Sequence, residues 1–276
     1  MIRDKDLNTY EDYSKGQKEA AYSVLVELAN LFNEYKDDIL VVGGWVPDLM
    51  FPKEGHIGSI DVDLLINHLT LKDTGYQTLE KIMLKNGYES HPEKYFSFIK
   101  HLSINNIQYD VDVDLFADIY GGTQKKKKSQ HVQGIKALKA TGGNFAFKFI
   151  PQRVKVESIR PDGAIDFAHI NVIAVVPYLV MKVAALGRGK AKDAYDIYFI
   201  IKHYHGGINK LAYEFKGFGN KNLVINMKEK LAEKFASESH SGSIDVINFL
   251  DLRDTEEKQL ICRDVYEQVK EFLSEI

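Results

Sequence analysis

From Ile107 to Leu115 apolar and polar residues alternate without a break: Ile107, Tyr109, Val111, Val113 and Leu115 against Gln108, Asp110, Asp112 and Asp114. Period-two alternation is the pattern of a half-buried β-strand, because successive side chains leave a strand on opposite faces. The apolar row must be covered by the rest of the fold. The other row puts three carboxylates on one face. Tyr95 to Ile104 supplies a second arm, with Asn105-Asn106 as the turn, so the segment predicts a hairpin. A chain with this hairpin must build a sheet with at least one covered face, which excludes an all-helical fold.

Candidate covering elements lie on both sides. Gln17 to Tyr35 carries Ala21, Val24, Leu25, Leu28, Leu31, Phe32 and Tyr35 at helical spacing. Ile39 to Val42 reads as a short buried strand stopped by Gly43 and Gly44, followed by a short helix from about Trp45 to Met50. Ser59 to Asn67 reads as a strand, and a helix containing Leu79 to Leu84 ends near Asn86-Gly87. Gly121 to Gly143 is polar, includes Lys125, Lys126, Lys127 and Lys128 in a row, and reads as a loop with room for a short helix. Strands follow at Arg153 to Ile159 and Ala164 to Ile170, joined by the turn signal Pro161-Asp162-Gly163. Beyond Val172 the pattern turns helical: Pro177 to Leu186, Lys190 to His203, Ile208 to Phe215, Leu223 to Phe235 and Thr255 to Leu273. A mixed α/β portion therefore precedes a helical portion, with the boundary near residue 170.

Composition narrows the classes. With 36 Lys and Arg against 39 Asp and Glu, the chain has a formal net charge of -3, so a wholly basic nucleic-acid coat protein is excluded. The lysine run at 125–128 could touch a polyanion, but it reads first as a solvated loop. Cys262 is the single cysteine in 276 residues, which rules out an internal disulfide and a cysteine-based zinc site. The longest apolar run, Val172 to Met181, is too short to span a bilayer, and the chain opens without a signal-peptide core. The expectation is a cytoplasmic protein with no membrane partner.

Two constellations carry chemistry. The first is Val41-Val42-Gly43-Gly44-Trp45-Val46-Pro47-Asp48 followed by Ser59-Ile60-Asp61-Val62-Asp63. A strand running into two glycines and a helix lets backbone N–H groups approach a phosphate, and a helix N-terminus favours an anion. Asp61 and Asp63 share a face at roughly 6.5 to 7 Å along a strand. Such a pair is tolerated when solvated or when a hard cation sits between. One carboxylate of the Asp110, Asp112, Asp114 row could complete a three-carboxylate cage of the kind that aligns phosphoryl and nucleotidyl transfer.

In this order the residues resemble the nucleotidyltransferase fold shared with DNA polymerase beta. The resemblance implies an α/β nucleotidyltransferase mixed-sheet domain over residues 1–170, followed by a C-terminal helical bundle over 171–276. It implies that Gly43, Gly44 and Trp45 contact the nucleotide. It also implies that Asp61, Asp63 and Asp114, with Asp112 as the alternative third ligand, hold Mg²⁺ or Mn²⁺. Trp45 stands where the family usually has Ser or Thr, and Gly-Gly-Trp followed by Asp48 is also similar to aminoglycoside and lincosamide nucleotidyltransferases.

The second constellation is Lys182 in Met181-Lys182-Val183-Ala184-Ala185-Leu186, then Arg188-Gly189-Lys190-Ala191-Lys192-Asp193-Ala194-Tyr195-Asp196-Ile197-Tyr198. Asp193 and Asp196, three apart, share a helix face. The pattern resembles the AbiEii-type abortive-infection toxins, over roughly residues 38 to 203. That resemblance implies an enzyme that moves a nucleoside monophosphate from an NTP to an acceptor, with an RNA such as tRNA as candidate. It also implies an antitoxin protein as partner and a role as the toxin of a toxin–antitoxin or phage-defence pair. Lys182 and Asp193 would be catalytic, and Lys182 and Asp196 would contact the nucleotide. Lys182 is expected at a polar cleft, where its loss would cost activity and little stability. A small-molecule nucleotidyltransferase and a non-catalytic nucleotide-binding relative are the rival expectations.

Overall fold

A computed structural model of the chain describes residues 9–13, 15–71, 78–118, 129–132, 135–159, 164–219 and 221–276. The chain divides into two compact units. The first comprises Ser14–Met50 and Gly58–Ala174, and the second Ile2–Tyr13, Phe51–Ile57 and Val175–Ile276. The sequence boundary between the α/β and helical portions falls at Ala174 and Val175, and two earlier segments join the helical unit.

The first unit is a mixed sheet with nine strands among the described residues. Its main path runs β3 (Tyr88–Ser90), β4 (Ser97–Ile104), β5 (Ile107–Asp118), β2 (Val62–Ile66), β1 (Ile39–Val42), β9 (Ile165–Val172) and β8 (Gln152–Ile159). Strand β1 is antiparallel to β2 and parallel to β9, while β2 runs parallel to β5. All four residues of β1 are buried, as a central strand covered on both faces requires. The β4–β5 hairpin turns where expected: Asn105 and Asn106 both have positive φ, 51° and 64°. Two consecutive left-handed residues match the twist of a two-residue hairpin, and asparagine tolerates them.

Helix α1 (Lys15–Leu31) buries Ala20, Ala21, Val24, Leu25 and Leu28 and packs on β2, β4, β5, β8 and β9. Its Leu25 and Leu28 meet Val41 and Leu64 across a small apolar gap. Since faces alternate along a strand, Val42 and Asp63 lie on the opposite face from α1. The first unit also contains α2 (Val46–Met50), α3 (Leu79–Lys85) and α4 (Gly143–Ala146).

The expected loop at 121–143 is corrected in part. Ser129–Val132 (β6) and Ile135–Ala140 (β7) form an antiparallel pair, and β7 adds in parallel to β5 at Phe116–Asp118. The sequence Ile135-Lys136-Ala137-Leu138-Lys139-Ala140 breaks strict alternation at Ala137-Leu138, so its pattern does not announce a strand; pairing with β5 and β6 defines it. The lysine run at 125–128 and the turn at 161–163 lie outside the described residues.

The second unit consists of α5 (Val175–Ala185), α6 (Ala191–His203), α7 (Gly207–Glu214), α8 (Asn222–Lys234), α9 (Ser241–Phe249) and α10 (Thr255–Glu275). Helix α6 is central and packs on α5, α7, α9 and α10. Leu179 and Val183 of α5, Ile197, Ile200 and Ile201 of α6, Val246 of α9, and Val265, Val269 and Phe272 of α10 are buried. No helix among the described residues is long and apolar enough to cross a membrane.

Candidate functional site

In the first unit the sheet register assembles a polar row. Asp63 on β2 is paired with Val42 on β1 on one side and with Asp114 on β5 on the other. Asp114 in turn lies opposite Ser97 on β4. Two carboxylates 51 positions apart in sequence are thus neighbours on parallel strands, separated by one strand spacing of about 4.8 Å. Residue 42 ends β1, so the row sits at the sheet end where the Gly43 turn begins. Asp61 lies in the bend that precedes β2, not on the strand itself. Its side chain accepts a hydrogen bond from Ser59, two residues before it.

The glycine turn has a steric cause. Gly43 has φ +71°, and a Cβ placed there would overlap the Asp63 carboxylate and come within 2.8 Å of its Cβ. Only glycine allows the backbone this close to Asp63 while adopting the left-handed conformation. Gly43–Trp45 forms one turn of 3₁₀ helix and α2 is five residues long. A helix so short adds little macrodipole, so the expected phosphate contact reduces to the N–H groups of the turn. Trp45 is wholly buried, and its indole N–H donates to the Asp61 carbonyl at 2.8 Å. Its ring lies 5.3 Å from that of Tyr22. The side chain supports the Asp61 bend from within the core, so it is not exposed for the nucleotide contact expected of Trp45. Gly43→Ala should therefore displace Asp63. The expected result is a stability loss of about 1–3 kcal/mol in chemical denaturation, together with loss of any activity that depends on Asp63.

Electrostatics separate Asp112 from Asp114. The ammonium of Lys94 lies 2.6 Å from Asp112 Oδ2, and His91 Nε2 lies 3.9 Å from the same oxygen. Asp114 Oδ1 is buried and has no hydrogen-bond partner among the described residues. Burial pushes the Asp114 carboxyl up to about 6; Lys94 opposes the rise, and the negative charge of Asp61 adds to it. A buried, orphaned carboxylate oxygen beside another acid suits a hard cation, which would supply the missing charge and the missing partner. With the side chains as they stand, no three His, Cys, Asp or Glu among the described residues are grouped closely enough to hold a metal ion. Part of the reason is on hand: Asp61 faces Ser59 and Asp112 faces Lys94.

The second unit holds a separate buried charge cluster. Lys182 of α5 reaches Asp193 Oδ1 at 2.8 Å and Asp196 Oδ2 at 2.7 Å, both on α6. Arg188 reaches Asp193 at 3.1 Å, and Lys192 reaches Asp196 at 2.9 Å. Lys182, Asp193 and Asp196 are all buried. Burial alone would lower the pKa of Lys182, but Asp193 and Asp196 hold it well above the ordinary lysine range. Burial likewise works to raise both carboxyls and is overcome, chiefly by Lys182, so both are held below the usual range. The expected exposure of Lys182 to a polar cleft is thus not found. Its ammonium is committed to two carboxylates inside this unit.

Sequence reasoning missed His56. It belongs to the segment Phe51–Ile57, is buried, and lies with Nε2 2.9 Å from Asp196 Oδ1. An ionised Asp196 only accepts, so Nε2 carries the proton and donates. The ring stacks on Tyr195 at 5.3 Å and meets Phe199 edge-on at 4.7 Å. Desolvation pushes the imidazole down from 6.5 to about 4. Between those two values the unfolded chain takes up a proton that the folded chain does not, so stability falls as pH falls through this window. At about 1.36 kcal/mol per unit the loss is about 3 kcal/mol. Asp193 and Asp196, with depressed values, lose their contribution only below about pH 4, the ordinary carboxylate range. Denaturation of the helical unit between pH 6.5 and 4 should show this slope, and His56→Gln, which keeps an N–H donor without titrating, should flatten it.

The carboxylate row and the charge cluster are the two groupings into which the structure gathers the predicted residues: Gly43, Gly44, Trp45, Asp61, Asp63, Asp112 and Asp114 in the first, and Lys182, Asp193 and Asp196 in the second. No protein-family profile, curated protein or solved structure matches the chain.

Proposed function

We propose that the chain is a nucleotidyltransferase that moves a nucleoside monophosphate from an NTP to an acceptor hydroxyl, with its reactive site on the first unit. The observation that carries this reading is the register Val42–Asp63–Asp114 at the end of the Gly43 turn. It joins a glycine turn, of the kind whose N–H groups suit phosphate oxygens, to two neighbouring carboxylates, one of them with a buried, orphaned oxygen. The helix–strand–Gly-Gly–helix–Asp-x-Asp order and the mixed sheet are compatible with the polymerase-beta-like fold that the motifs resemble.

In this reading Asp61, Asp63 and Asp114 would hold Mg²⁺ or Mn²⁺, which supplies charge neutralisation for the triphosphate and activates the acceptor oxygen when bound. The turn N–H groups of Gly43 and Gly44 bind the phosphate chain. The acceptor hydroxyl gives up its proton to solvent, its oxygen forms a bond to the α-phosphorus, the bond from that phosphorus to its bridging oxygen breaks, and pyrophosphate leaves. Lys182, Asp193 and Asp196 act in this reading as the internal framework of the helical unit. The AbiEii-type resemblance supports an RNA acceptor such as tRNA and an antitoxin partner. The test is incubation of the purified chain with Mg²⁺, each labelled NTP and total cellular RNA. Label transferred to RNA with release of pyrophosphate supports the reading. Transfer to an aminoglycoside or lincosamide instead moves the acceptor to small molecules, and no turnover on either leaves the non-catalytic rival.

A further inference from the structure

Lys94 is mounted more firmly than a surface lysine. It sits in the connection between β3 and β4, where the N–H groups of Glu93 and Lys94 both donate to His91 Nδ1 at 3.0 Å. The Lys94 carbonyl accepts from Ser97 N at 3.1 Å, and His91 N donates to the Ser97 carbonyl at 3.0 Å. The backbone of the residue is thus fixed from both ends at the start of β4, next to the residue that faces Asp114. Its ammonium rests on Asp112 at 2.6 Å, is partly exposed, and acts electrostatically on Asp114 as well. The site reading leaves this cation without a task, and it leaves Asp112 as the acid that a compact three-carboxylate set does not need.

We propose that Lys94 is the triphosphate-gripping cation of the same site, and that Asp112 is its resting partner and not a metal ligand. The inference rests on the nucleotidyltransferase reading and deepens it. A lysine is a compact point charge on a flexible stem, suited to phosphate oxygens. A row of carboxylates repels a polyanion, so a fixed cation at its edge offsets that repulsion where the phosphate chain would lie. On binding, the ammonium exchanges Asp112 for a phosphate oxygen, with no change of protonation and no backbone movement.

Inorganic triphosphate with Mg²⁺ is the probe, because it removes any dependence on base or acceptor. Calorimetric titration compares wild type, Lys94→Met, Lys94→Arg and Asp112→Asn, each checked by thermal melt. A charge-assisted hydrogen bond lost from the complex weakens binding by about tenfold to a hundredfold. Lys94→Met should show that loss, Lys94→Arg should recover part of it, and Asp112→Asn should bind as tightly as wild type or more tightly. If Lys94 and Asp112 form only a structural ion pair, both neutral variants shift the melt alike and neither weakens binding selectively, which overturns the proposal. If Asp112→Asn abolishes binding, Asp112 is a metal ligand and the proposal also fails. Absence of binding by wild type overturns the site reading itself, and is distinguishable because it precedes any comparison of variants.

Discussion

Asp63→Asn is expected to lower nucleotidyl transfer by about 10³-fold or more while leaving the fold intact. The substitution keeps the shape of the side chain and removes its charge. If Asp63 holds the metal, loss of that charge removes several kcal/mol of transition-state stabilisation, and about 4 kcal/mol corresponds to that factor. Stability should hold or rise, because Asp63 lies beside Asp114 in register and removing one of two adjacent like charges relieves their repulsion. A loss of activity with an unchanged or raised melting temperature is the signature of a functional group held at a cost to stability. Asp114→Asn should behave the same way, and Asp112→Asn should retain more activity. Pyrophosphate release and a thermal melt on the same preparations decide the matter. Turnover within a few-fold of wild type in Asp63→Asn would remove the metal-site reading.

Much of this site was legible because its parts obey local rules. Strict alternation at 107–115 located β5 and fixed which face holds Asp110, Asp112 and Asp114. The Asn105-Asn106 pair located the turn, since few residues adopt two consecutive left-handed conformations. What sequence could not supply was register. That Asp63 pairs with Asp114 and not Asp112 depends on the parallel alignment of β2 on β5, which no local signal sets. The Lys94–Asp112 pair was invisible for the same reason. His56 was missed because a lone histidine in a connector carries no periodic signal, and its partner lies 140 positions away. Helix α9, Ser241–Phe249, falls in a stretch where the sequence pattern predicts no element, and it begins Ser241-Gly242-Ser243. Gly242 is there because a Cβ would meet the Lys234 carbonyl at 2.6 Å and the Phe235 ring at 2.5 Å, so tertiary packing overrides propensity. Lys182 was placed correctly on a helix but expected at a polar cleft, because helical spacing shows which residues share a face and not what that face meets.

That last residue carries the largest expected effect on stability. Lys182→Met should destabilise the helical unit by about 3 kcal/mol, at the lower end of what removing one partner of a buried ion pair costs. Methionine fills a similar volume, so packing changes little and the electrostatic loss dominates. The loss arises because Asp193 and Asp196 remain buried, one turn apart on α6, without the ammonium that lay between them at 2.8 and 2.7 Å. It does not reach the upper end, because Arg188 still reaches Asp193, and Lys192 and His56 still reach Asp196. Adding Asp193→Asn to Lys182→Met should recover roughly half of the loss, since one of the two uncompensated charges is removed and Asp196 keeps its remaining partners. Asp193→Asn alone should cost less than Lys182→Met, because Lys182 retains Asp196. Urea denaturation followed by far-ultraviolet circular dichroism, which the helical unit dominates, measures all three. If Lys182→Met melts as wild type does while nucleotide transfer collapses, the lysine is a binding group and the framework role assigned here is wrong. If both fall together, stability must be restored by the double variant before activity is read, and recovery of activity with stability would place Lys182 outside the reactive chemistry.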